Sequence, residues 1–175
     1  MHKNQKTIIW GLVILSAIVG LVWLAKPSST GQETELPPVA NISIAADEMK
    51  YDFGNISMKD GNVSHKFVIK NTASEPVSLN KLYTSCMCTS ASLLAGDPST
   101  GSGQVKKIGP FGMPGHGSFP SFKETLEPGA EMEIEVTFDP NAHGPAGIGR
   151  IERSVYLESN GQTVLELGIA AFVKP

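Results

Sequence analysis

Between Glu131 and Phe138, apolar and polar residues alternate without a break. Met132, Ile134, Val136 and Phe138 oppose Glu131, Glu133, Glu135 and Thr137. A period of two gives a β-strand two distinct faces and is incompatible with a helix, whose faces repeat about every 3.6 residues. The same period recurs in residues 63–70, where Val63, Phe67 and Ile69 oppose Ser64, Lys66 and Lys70. It returns in Leu165, Leu167, Ile169, Ala171 and Val173. Turn residues separate the runs: Lys59-Asp60-Gly61-Asn62, Glu127-Pro128-Gly129, Asp139-Pro140-Asn141 and Ser159-Asn160-Gly161-Gln162. The last predicts a hairpin joining 154–158 to 163–173. No window of the body has the spacing of a three-turn amphipathic helix, and 18 Gly with 12 Pro suit turns rather than a bundle. The expectation is an all-β, immunoglobulin-like β-sandwich of about seven strands over residues 41–175. The body lacks the Trp and the widely spaced Cys pair that pin antibody domains, so aliphatic and Phe packing must hold it.

The front of the chain is of another kind. Residues 8–25, IIWGLVILSAIVGLVWLA, carry no charge. As a helix they would cover about 27 Å, close to the apolar thickness of a bilayer. Both tryptophans, Trp10 and Trp23, stand near the ends of the segment, as interfacial anchors do. Lys3 and Lys6 precede it, which favours a short cytoplasmic N-terminus, residues 1–7, and an extracytoplasmic body. The apolar run exceeds a signal-peptide core, and bulky Trp23 sits where cleavage before Lys26 would need a small residue. The expectation is one N-terminal transmembrane helix, an uncleaved anchor in the cell membrane. Residues 26–40, rich in Pro, Ser, Thr and Glu, follow as a flexible stem. A net charge of −3 with no basic run argues against nucleic acid as a partner.

A set of short motifs occurs in order along the body. Tyr51-Asp52-Phe53-Gly54-Asn55-Ile56 is followed by His65-Lys66-Phe67 with Asn71, and by Ser85-Cys86-Met87-Cys88-Thr89. Leu126-Glu127-Pro128-Gly129, Val136-Thr137-Phe138-Asp139-Pro140 and Ser159-Asn160 complete it. This series resembles the bacterial domain-of-unknown-function family 1573 over about residues 45–172. The resemblance implies a Hydin-type immunoglobulin-like sandwich and export, and implies no activity. The sequence departs from the family in a long inserted loop, residues 90–125, where the strand rhythm lapses.

Candidate chemistry is confined to two places. Cys86 and Cys88 flank Met87 at the end of an expected strand; in extended backbone both thiols would face the same way and Met87 the other, into packing. Met113 and His116 lie in a glycine-rich stretch of the loop. Two thiolates, a thioether and an imidazole suit Cu(I). Three states of the cysteines remain open: a local disulfide, which closes too short a loop to stabilise much; a metal site of Cys86, Cys88, Met113 and His116; or buried free thiols. His65 reads as a partly buried, satisfied side chain, and His143 as a solvent-facing turn residue. Glu131, Glu133 and Glu135 share one face and read as a solvated edge. Residues 96–101 lack the Lys-Ser/Thr ending of a phosphate loop. No catalytic constellation is present, so the expectation is no enzyme. It is a binding or structural module at the cell envelope whose 90–125 loop, with the Cys86/Cys88 corner, meets an unknown envelope protein. The alternative is a Cu(I)-binding or thiol-redox protein.

Overall fold

Strands appear where the alternation placed them, and in several places where it was silent. The computed structural model describes residues 44–96, 105–116 and 121–175. The apolar segment 8–25 and the stem 26–40 lie outside the described residues. Among the described residues no helix is long and apolar enough to cross a membrane. In chain order the strands are β1 (Ile44–Ala46), β2 (Lys50–Ser57), β3 (Val63–Asn71), β4 (Val77–Leu79), β5 (Lys81–Thr84) and β6 (Thr89–Ala95). They continue with β7 (Lys106–Phe111), β8 (Glu124–Leu126), β9 (Glu131–Phe138), β10 (Gly149–Ser159) and β11 (Gln162–Lys174). One sheet has the order β1-β3-β9-β6-β7, the second β2-β11-β10-β5, and β4 pairs with β8.

The core lies between the two large sheets. Phe67, Ile69, Leu93, Ile134 and Val136 come from one, and Leu82, Val155, Leu157, Leu167 and Ile169 from the other; each is at most 1 % exposed. The β10–β11 hairpin closes as expected. Ser159 pairs with Gln162 across Asn160 and Gly161, both at positive φ (51° and 80°), the backbone of a two-residue primed turn. His65 is partly buried: it stacks on Tyr51 at 3.6 Å and meets Glu48 at 2.6 Å.

Three expectations need correction. Eleven strands are present among the described residues rather than about seven, because three-residue strands (β1, β4, β8) are too short to show a period. The stretch 90–125 is not simply a loop: it supplies most of β6, all of β7 and the start of β8. Strand β6 pairs with β9 on one side and β7 on the other, and is buried at Ser92 and Leu94 as well as at Ala91 and Leu93. An interior strand covered on both faces shows no alternation. Finally, the acidic row does not form an edge, since β9 lies between β3 and β6. Glu131 and Glu133 pair with Lys70 and Lys66 at 3.0 and 2.9 Å, and Glu135 pairs with Lys107.

One buried polar side chain ties the end of β3 to its surroundings. Asn71, 1 % exposed, donates from Nδ2 to the carbonyls of Glu75 and Leu126, each at 2.8 Å. Its Oδ1 accepts from Ala73 N at 2.9 Å. Asn71→Ala strands these backbone groups and is expected to cost about 3 kcal/mol, whereas Thr125→Ala on the exposed side of β8 should stay within about 0.5 kcal/mol. Urea unfolding of the two variants checks this.

Candidate functional site

The two sheets are joined by crossovers that meet at one end of the sandwich. Strand β5 belongs to the β10 sheet and β6 to the β9 sheet, so residues 85–88 carry the chain from one to the other. Residues 139–148 make the opposite crossing, from β9 to β10. The cysteines occupy the first crossing and His143 the second.

The first crossing is a tight turn, not the extended strand end expected from sequence. Thr89 N donates to Cys86 O at 3.1 Å, and the buried Thr84 hydroxyl reaches the carbonyls of Cys86 and Thr89 at 3.0 and 2.9 Å. Ser85 N donates to Ser154 O at 2.9 Å on the β10 side, and Asp139 N to Cys88 O at 2.9 Å on the β9 side. Within this turn Cys86 and Cys88 are joined as a disulfide, with Cα atoms 5.3 Å apart. Met87 stands at the tip, 55 % exposed, instead of packing inward. Cys86 is partly exposed, while Cys88 is 2 % exposed.

Each sulfur has a nitrogen partner. His143 Nε2 lies 3.2 Å from Cys86 Sγ, and because a disulfide sulfur has no proton, the nitrogen must carry the hydrogen of this contact. The Cys88 amide also donates to Cys86 Sγ at 3.3 Å. Arg153 Nε donates to Cys88 Sγ at 3.2 Å, and its Nη1 to Glu152 O at 2.7 Å. The neighbouring Glu152 carboxyl is held below the usual carboxylate range by hydrogen bonds from Lys50 and then Arg150. It is thus engaged away from the sulfurs. His143 and Arg153 also line a shallow groove of about 300 Å³ beside Ile148, which is 45 % exposed.

The ligand set expected from sequence is rearranged. The side chains that come together are Cys86, Cys88 and His143, whose ligand atoms lie within 4.8 Å of one another; His116 is not among them. Gly112 O accepts from Thr84 N at 3.1 Å, which fastens the start of the 113–116 turn to β5. In that turn Met113 is half-buried and His116 exposed. His143 is exposed, as expected for a turn residue, yet it touches a sulfur. Gly147 backs it, since a Cβ there would lie 3.3 Å from His143 Cβ. Sequence reasoning missed Arg153, although a signal existed: Ile151, Arg153, Val155 and Leu157 share one face of β10, and a cation on an apolar face needs a partner.

Comparison with known proteins adds a family. Residues 44–107 match the family described as a protein of unknown function, DUF1573, a span that includes both cysteines and ends before His143 and Arg153. No curated protein matches the sequence. Among solved structures, the chain is similar to a protein of unknown function from Porphyromonas gingivalis W83, at 12% identity and a TM-score of 0.49; the match covers 74% of this chain and 46% of that one. A family 123 glycoside hydrolase from Clostridium perfringens gives 13% and 0.48, covering 71% of this chain and 23% of the other. The ASH / PapD-like domain of human CEP192 gives 13% and 0.41, covering 76% and 86%. The chain therefore spans less than half the length of the first two. The match over residues 44–107 supports assignment of this chain to DUF1573, a family of unknown function.

Proposed function

We propose that the chain is a membrane-anchored, extracytoplasmic, non-enzymatic binding module that presents its Cys86–Cys88 corner to another envelope protein. The observation that carries this reading is Met87, 55 % exposed at the tip of a turn whose backbone is hydrogen-bonded to both sheets. An apolar side chain held outward on a rigid support suits recognition. Ile148 extends the apolar contribution beside the groove. The contact region thus narrows from the 90–125 loop with the Cys86/Cys88 corner to the corner itself. Deleting residues 99–121 would remove β7 and the core side chain Phe111, 2 % exposed, so it cannot test binding cleanly. Replacing 97–104 by a Gly/Ser linker spares every strand of the described residues. In detergent, full-length chain carrying Met87→Asp and Ile148→Asp should lose at least about 90% of its envelope partner in crosslinking, a loss of about 1.4 kcal/mol or more. The linker variant should retain it; the opposite pattern returns the contact to the loop. Protease digestion of spheroplasts should reach residues 41–175 from outside, and protection of the body would remove the extracytoplasmic assignment.

A second reading, Cu(I) binding, is favoured by the approach of His143 to the sulfurs. After reduction, two thiolates and one imidazole make a soft three-ligand set, and the residues present fit the ion. Cys86, Cys88 and His143 would hold it, in place of the expected set with Met113 and His116. Reduced full-length chain titrated with Cu(I) against a chromophoric chelator should bind one equivalent. His143→Ala should weaken this by about tenfold or more. Weakening by His116→Ala and not by His143→Ala would restore the ligand set expected from sequence.

A further inference from the structure

We propose that the Cys86–Cys88 disulfide is an exchange centre that captures a thiol of the partner protein at Cys86, with Cys88 as the leaving sulfur. The proposal rests on the reading of this corner as the partner-facing surface and names the chemistry of the partner: a protein with an accessible cysteine.

The disulfide contributes little to holding the turn. A loop this short has little closure entropy to remove, and the turn is already fastened by Thr89 N, by the Thr84 hydroxyl and by bonds to both sheets. The two sulfurs are also unequal. Cys86 is partly exposed and its Sγ touches His143, which lines the groove, whereas Cys88 is buried. Attack is therefore directed to Cys86 by access alone.

The step balances within the two proteins. The partner's thiolate sulfur forms a bond to Cys86 Sγ, the Cys86–Cys88 bond breaks, and its electron pair leaves on Cys88 Sγ as a thiolate. No further oxidant is needed, since the disulfide is the oxidant. The charge that appears on buried Cys88 is met by the Arg153 Nε hydrogen, already 3.2 Å away, with the Thr89 hydroxyl at 3.7 Å. A charge-assisted bond to the leaving sulfur favours its departure. Arg153 thus acts directly on the leaving sulfur, which gives its inward place on β10 a chemical purpose.

The test uses oxidised full-length chain in detergent with reduced glutathione as the probe. After acid quenching and alkylation of the free thiol, cleavage at Met87 separates the two cysteines into different fragments. Glutathione is expected on Cys86 and the alkyl group on Cys88; glutathione on Cys88, an equal split or no adduct overturns the proposal. Arg153→Gln should slow adduct formation by about tenfold with the site of attack unchanged, and Arg153→Lys should fall between it and the parent. An unchanged rate in Arg153→Gln, with the chain still folded by circular dichroism, overturns the leaving-group assignment. Cys86→Ser/Cys88→Ser cannot exchange but still reports non-covalent capture through Met87. Failure of exchange and failure of the binding reading are therefore separate results.

Discussion

Backbone hydrogen bonds to two different sheets fix the position of the sulfur pair. Ser85 N is bound to β10 and Cys88 O receives Asp139 N from the end of β9, so the four residues between β5 and β6 cannot shift without disturbing both layers. The sandwich supplies this rigidity through its apolar interior. Phe67, Ile134 and Val136 face Leu157, Leu167 and Ile169 without Trp or an inter-sheet disulfide, as a core of aliphatic and Phe side chains. The cysteines are thereby released from the structural duty they have in antibody domains. They stand at the edge of the fold, where partner contact and sulfur chemistry can occur.

The second crossing brings the nitrogen chemistry. Asp139 Oδ1 accepts from Asn141 N at 2.8 Å, and Asn141 Nδ2 donates to Met58 O at 2.8 Å, so the segment leading to His143 is folded back and anchored. Gly149, at φ 115°, then starts β10 in a backbone conformation that side chains rarely adopt. Four residues on, Arg153 reaches the buried sulfur from the strand itself. The site is thus assembled from a turn, a second turn and a strand that are far apart in sequence and adjacent only because both crossings lie at one end.

The parts of the fold that could be read from sequence are those where one face meets the core and the other meets water. The alternation of 131–138 and 165–173 and the Asn160-Gly161 turn all correspond to observed strands and to the hairpin. Strand β6 escaped because a strand covered on both faces has no reason to alternate, and β7 because Lys106, Lys107, Gly109 and Pro110 read as loop. The Cys86–Cys88 pair was visible from spacing, but its partner imidazole was not. Choosing His143 over His116 requires knowing that β6 lies beside β9, with Thr89 opposite Phe138. That is a fact of strand order, which local patterns do not carry. Arg153 was legible in principle, as a cation in register with Ile151, Val155 and Leu157.

The parallel pairing of β2 with β11 has a mechanical consequence. These strands lie near opposite ends of the described body and run the same way, with Lys50 beside Gly168 and Ser57 beside Lys174. Tension between the start of β2 and the finish of β11 pulls them along their length in opposite directions. The ladder is then loaded in shear, with its hydrogen bonds resisting together instead of opening one after another. The seam loaded this way joins β2 to β11 and does not include β5 or β6, the strands that flank the sulfur corner.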